Sequence, residues 1–142
     1  MKKQFVLLGC VLGLLLIPTR AEEEKEKDQT ALGKQMETMN DAFKAFRRET
    51  DAVKGASQAR EAQTAALKAA AEVPERVKEM PDGPEKSKAI VAYHKMAGKL
   101  YLTLCEVEEA FLDGKIEEVA KIVDSLKEQK KTGHEKFMKE DE

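Results

Sequence analysis

Between Leu32 and Phe137 the apolar residues recur at steps of three and four, in four blocks separated by glycine, proline and aspartate. That spacing is the signature of helices with one buried face, and no segment shows the strict alternation of a half-buried strand. Alanine, glutamate, lysine, leucine and methionine fill the blocks, and all of them favour helix. The first block predicts a helix over Gln29–Val53. Its stripe is Leu32, Met36, Met39, Phe43, Phe46 and Val53, and Gly55 is the expected left-handed stop.

A second helix is expected from Ser57, as N-cap, to Val73, and it is crowded with alanines: Ala59, Ala62, Ala65, Ala66, Ala69, Ala70 and Ala71. So small a face permits close helix approach or leaves volume for something larger than a side chain. From Pro74 to Pro84 three prolines and Gly83 interrupt the pattern, with room for one helical turn over Glu75–Met80. Pro84 suits the first position of the third helix, whose stripe is Ile90, Tyr93, Ala97, Leu100, Leu104, Val107 and Phe111. Asp113-Gly114 ends it. The fourth helix starts at about Lys115, with Ile116, Val119, Val123, Leu126, Lys130 and Phe137 on its inner face. Short connections make the first two and last two helices antiparallel hairpins, so the predicted fold is an all-α, up-down-up-down four-helix bundle.

Ahead of the bundle, residues 1–21 read as a secretory signal peptide. Lys2 and Lys3 precede an apolar run from Phe5 to Ile17, Pro18 breaks it, and Thr19-Arg20-Ala21 offers small residues at a cleavage site. Residues 22–28 form a charged leader expected to be disordered, and the bundle domain occupies 29–142. Cleavage removes Lys2, Lys3 and Arg20 but no acid, leaving 22 basic against 27 acidic residues and a formal charge of −5. A mildly acidic domain without a basic stripe is a poor nucleic-acid binder, and no stable membrane insertion is expected after cleavage. Cys105 is then the sole cysteine, so no internal disulfide is possible, and a small, buried or half-buried apolar role is expected for it.

Chemistry-bearing residues are few. His94 lies beside the third helix's main stripe, about 16 Å of helix rise from Cys105, so the two cannot share a metal. No HxxxH or ExxH pair, zinc-type cysteine cluster, GxSxG or phosphate loop occurs. His134 lies eighteen residues after Ile116, five full turns at ~100° per residue, and so points inward with the core stripe. In a bundle whose first and last helices are antiparallel neighbours, Met36 and His134 reach the same end. A thioether facing an imidazole is an axial ligand pair for haem iron, although a gap-filling methionine and a capping histidine account for the same residues without a cofactor.

The wording of these segments adds a resemblance. Met36-Glu37-Thr38-Met39-Asn40-Asp41 is similar to the methionine-ligand segment of the cytochrome b562 family, periplasmic haem-binding four-helix bundles. Gly114-Lys115, Ile116, Val119, Leu126-Lys127 and His134-Glu135-Lys136 resemble that family's last helix, and Pro81-Asp82-Gly83-Pro84 resembles its central loop. The resemblance covers roughly Ala31 to Lys139. It implies a periplasmic, non-enzymatic one-electron carrier with Met36 and His134 as the axial ligands of the haem iron. No CxxCH motif occurs, so the haem would be a non-covalent haem b. Leu32, Met39, Phe43 and Phe137 are the expected pocket walls. The resemblance also implies a monomer serving redox partner proteins of unstated identity. Gly133 departs from the family pattern by standing where an aromatic residue is usual, and the loop before the third helix is about three residues longer. A cofactor-free helical adaptor is the alternative, and a five-coordinate haem sensor with Met36 displaced is a third possibility.

Overall fold

The computed structural model describes residues 30–138. The expected signal peptide and charged leader lie outside the described residues. Within them the order is α1 (Ala31–Phe46), α2 (Ala52–Ala70), a one-turn α3 (Glu75–Lys78), α4 (Pro84–Leu112) and α5 (Ile116–Phe137). Four long helices and no strand among the described residues make this the expected bundle.

The first helix is shorter than its apolar pattern suggested. Thr30 opens α1 by accepting the Gly33 N–H on its hydroxyl at 3.0 Å. The chain then turns at Arg47–Asp51 instead of continuing to Val53. Glu49 accepts the N–H groups of Thr50 and Asp51 at 2.9 and 3.0 Å, and Asp51 accepts that of Lys54 at 2.9 Å. Asp51 is therefore the N-cap of α2, not Ser57, which lies inside the helix. Val53 falls on the outside, 78% exposed. The cause is local: side-chain acceptors at 49 and 51 satisfy the N–H groups of a turn and a new helix start, outcompeting one continuous helix.

Gly55 is likewise no helix stop. It lies buried within α2, where a Cβ would overlap the ring of Phe111. Phe111 and Phe46, both fully buried, fill the end of the bundle that holds the α1–α2 and α4–α5 turns. Ala56 and Ala59 join them in the main core, so here the small face of α2 serves close approach.

The α2–α4 seam is antiparallel and pinned by polar contacts along its length. Arg60 donates through Nε to Glu108 at 3.0 Å, and Gln63 donates to Glu108 at 2.6 Å and to the Leu104 carbonyl at 3.2 Å. Further along, the buried Tyr93 hydroxyl donates to the Ala69 carbonyl at 2.6 Å, an oxygen that also accepts the Glu72 N–H at 3.1 Å. Gln129 to Thr103 at 2.9 Å and the edge-on Tyr93–Phe137 pair run α5 antiparallel to α4. A smaller core of Val77, Tyr93 and Phe137 lies beneath α3, which packs on α4 and α5.

Two outcomes follow from these contacts. Gly55→Ala gains helix propensity of up to ~1 kcal/mol but must displace a fully buried ring, an overpacking cost of about 1–3 kcal/mol, so urea denaturation should show net destabilisation. Burial, aided by the nearby Glu72 charge, pushes the Tyr93 hydroxyl from 10.0 up to about 12. Because the folded state holds this proton more tightly, the associated stability is complete below pH 10.0 and is lost as pH rises towards about 12. Tyr93→Phe should cost about 1 kcal/mol at neutral pH and flatten that alkaline decline.

Candidate functional site

Three sides of the bundle are closed by direct helix packing: α1 on α2, α2 on α4, and α4 on α5. The fourth side, between α1 and α5, has no comparable seam. The two helices expected to be packed neighbours stand apart, and a cavity of about 450 Å³ opens between them. That volume lies within the range of roughly 300–1,000 Å³ usual for small-molecule sites.

The cavity exists because the residues facing it are too small to fill it. Ala62, Ala66 and Ala69 of α2, Ala97 of α4 and Gly133 of α5 contribute little volume to its walls. The two readings of the alanine-rich helix therefore divide by position, with close approach at the Gly55 end and open volume at the Ala69 end. Leu32, Met39, Phe43 and Phe137, the four expected wall residues, all line the cavity.

Met36 and His134 both line it as well. A hydrogen bond from Lys130 Nζ to Asn40 Oδ1, at 2.9 Å, ties α5 to α1 across the open side. Met36 lies one turn before Asn40, and His134 lies one turn after Lys130. On antiparallel helices those steps run in the same direction, so the thioether and the imidazole come to the same level. Met36 is half-buried and packs against the main core, whereas His134 is exposed. Lys130, expected on the inner face, is exposed at the cavity edge, its long side chain carrying the ammonium to Asn40.

The electrostatics suit a neutral donor. Although His134 is exposed overall, partial desolvation of its imidazole is the larger cause, and the positive charge of Lys130 the smaller, that push it below its ordinary value. The neutral ring is the form that ligates a metal. The end of α5 is held by Arg76, whose guanidinium donates to the carbonyls of Glu135 and Met138 at 3.3 and 3.4 Å. A cation there meets the negative end of the helix dipole and anchors the segment that carries His134. An apolar cavity with a sulfur donor on one helix and an imidazole on another can take a flat, largely apolar ligand bearing a soft or borderline metal.

Several wall residues had no sequence signal as site residues. Met96 is the most informative. A Cβ at Gly133 would lie 2.9 Å from Met96 Cε and 3.7 Å from its sulfur, so Met96 from α4 fills the space beside position 133. Tyr93, Pro74, Gln129 and Met138 also border the cavity, and the Gln129 amide oxygen is buried without a partner among the described residues. His94 is exposed and Cys105 half-buried, and neither borders the cavity. No group of three or more histidine, cysteine, aspartate or glutamate side chains is arranged to hold a metal among the described residues.

Met96 presents only the mobile end of an unbranched side chain to Gly133. Gly133→Ala should therefore stabilise α5 by roughly 0.5–1 kcal/mol, opposite in sign to Gly55→Ala, as thermal unfolding would show.

Comparison with curated proteins returned no match. A family profile described as cytochrome b562 matches residues 31–138, which takes in all five helices and the whole cavity. The chain belongs to the cytochrome b562 family.

Proposed function

We propose that this protein is a periplasmic b-type cytochrome, a one-electron carrier that holds a non-covalent haem b through Met36 and His134. The observation that carries the reading is that both side chains line one apolar cavity, at one level, on the side of the bundle left open between α1 and α5. Family membership supports the cofactor class, and the cavity walls fit it: aliphatic, aromatic and alanine surfaces suit the faces of a porphyrin.

Each residue has a separable job in this reading. His134, its imidazole pushed below its ordinary value by partial desolvation and by Lys130, is biased towards the neutral ring that offers a nitrogen lone pair. Met36 offers a thioether, which favours the ferrous state and raises the reduction potential. Leu32, Phe43 and Phe137 exclude water from the ligand faces. Lys130 and Asn40 stand at the edge of the open side, where the Lys130 ammonium is available to a carboxylate of the ligand. Haem, when bound, supplies reversible one-electron chemistry, and two protein ligands leave no coordination position for a substrate. The role is electron transfer to partner proteins rather than catalysis.

The test is a haemin titration of the purified protein followed by absorption spectroscopy and thermal unfolding. One equivalent should give a Soret shift and raise the melting temperature, since a ligand that binds only the folded state stabilises it. His134→Ala should abolish the six-coordinate spectrum, and Met36→Ala should leave a five-coordinate one with weaker binding. No Soret shift, or one unchanged in both variants, would leave the cofactor-free bundle as the better description.

A further inference from the structure

The outer face of the bundle carries a surface that the cavity does not explain. Val53, Leu67, Val91, Leu102 and Leu112 are the large exposed hydrophobics among the described residues, at 78, 55, 52, 63 and 64% exposure. On α4, Val91, Gly98, Cys105 and Leu112 fall at strict seven-residue intervals, and Leu102 lies within about 40° of Gly98. Nothing lies within 4 Å of the space a side chain at Gly98 would use. Val53 and Leu67 stand seven residues either side of Arg60, whose bond to Glu108 places that edge of α2 beside α4. This face is directed away from the cavity, which α4 lines with Tyr93, Ala97, Leu100 and Leu104.

The charges on α4 say what would cover it. Lys95 and Lys99 lie on one side of Leu102, Glu106 and Glu109 lie on the other, and all four are exposed. Lys95 and Glu109 are each seven residues, two helical turns, from Leu102. A second α4 laid antiparallel about a two-fold axis at Leu102 sets Lys95 against the partner's Glu109, and the reverse. A surface that is apolar along its middle and opposite in charge at its two ends is complementary to itself, which is the requirement of an isologous interface. Gly98, without a side chain, lets the two backbones approach.

We propose that the outer α4 face, flanked by α2, is a dimer interface between two copies of this chain, centred on Leu102. The occupant is a second copy, in place of the single-copy expectation. The two cavities then lie on opposite outer sides of the dimer, each with its α1–α5 side open.

Sedimentation equilibrium of the purified protein tests this, with circular dichroism confirming helicity. A reversible monomer–dimer equilibrium is expected, abolished by Leu102→Arg. Lys95→Glu and Glu109→Lys should each raise the dimer dissociation constant roughly tenfold, since each puts like charges together at both ends of the interface. An equimolar mixture of those two variants restores opposite charges at both ends of a mixed dimer, so it should associate as tightly as the parent. A parent chain that stays monomeric up to ~1 mM would overturn the proposal. So would a dimer indifferent to Leu102→Arg, or a mixture no tighter than its separate components.

Discussion

The structure depends on the seam between α2 and α4. Gly55 lets the Phe111 ring lie against the α2 backbone, Gln63 bridges to Glu108 and Leu104, and Tyr93 reaches the Ala69 carbonyl. These contacts fix the spacing and register of the two central helices from end to end. α1 then packs on α2 and α5 on α4, so the outer pair is positioned mainly by different partners, with the Lys130–Asn40 hydrogen bond as a tie between them. A cavity between α1 and α5 follows directly. Side chains filling it from α2 would need to be larger than Ala62, Ala66 and Ala69, while Gly55, Ala56 and Ala59 at the other end allow close approach.

Much of this was legible in the chain itself. The stripe from Tyr93 to Phe111 is buried or half-buried as its spacing required, and Pro84 and Asp113-Gly114 bound α4 as expected. The four wall residues were legible because they share or flank the faces of Met36 and His134. The turn at Arg47–Asp51 was not. Apolar periodicity alone ran the first helix to Val53, while the boundary was set by carboxylates at 49 and 51 bonding to nearby N–H groups, a local polar effect that no hydrophobic pattern records. Gly55 looked like a stop for the same reason: a glycine needed for close approach and one needed for a left-handed turn are identical in sequence.

The cavity lining was legible at Met36, His134 and the four expected wall residues, and not at its remaining walls. Met36 and His134 stood out because apolar spacing put each on an inner face near one end; both line the cavity, but His134 is exposed at its edge and not turned into the core. Met96 carried no signal, since its relevance comes from a space that only the packing of α4 against α5 creates beside Gly133. The lack of a full α1–α5 seam was also invisible, because short loops and apolar faces predict neighbours without saying how far apart they stand. Lys95, Lys99, Glu106 and Glu109 take their meaning only once the packing shows which face of the helix is left outside.

Methionine abundance at the cavity allows a direct test of the ligand assignment. Met36, Met39, Met96 and Met138 all border it, and any of them brings a thioether to the site. Nuclear magnetic resonance of the ferrous haem complex, with methionine methyl groups labelled, separates them. A methyl held over the porphyrin next to the iron is shifted far upfield by the ring current. One such resonance is expected, lost in Met36→Leu and retained when Met39, Met96 or Met138 is changed to leucine. An upfield methyl that survives Met36→Leu, or none at all in the parent complex, would contradict the ligand assignment.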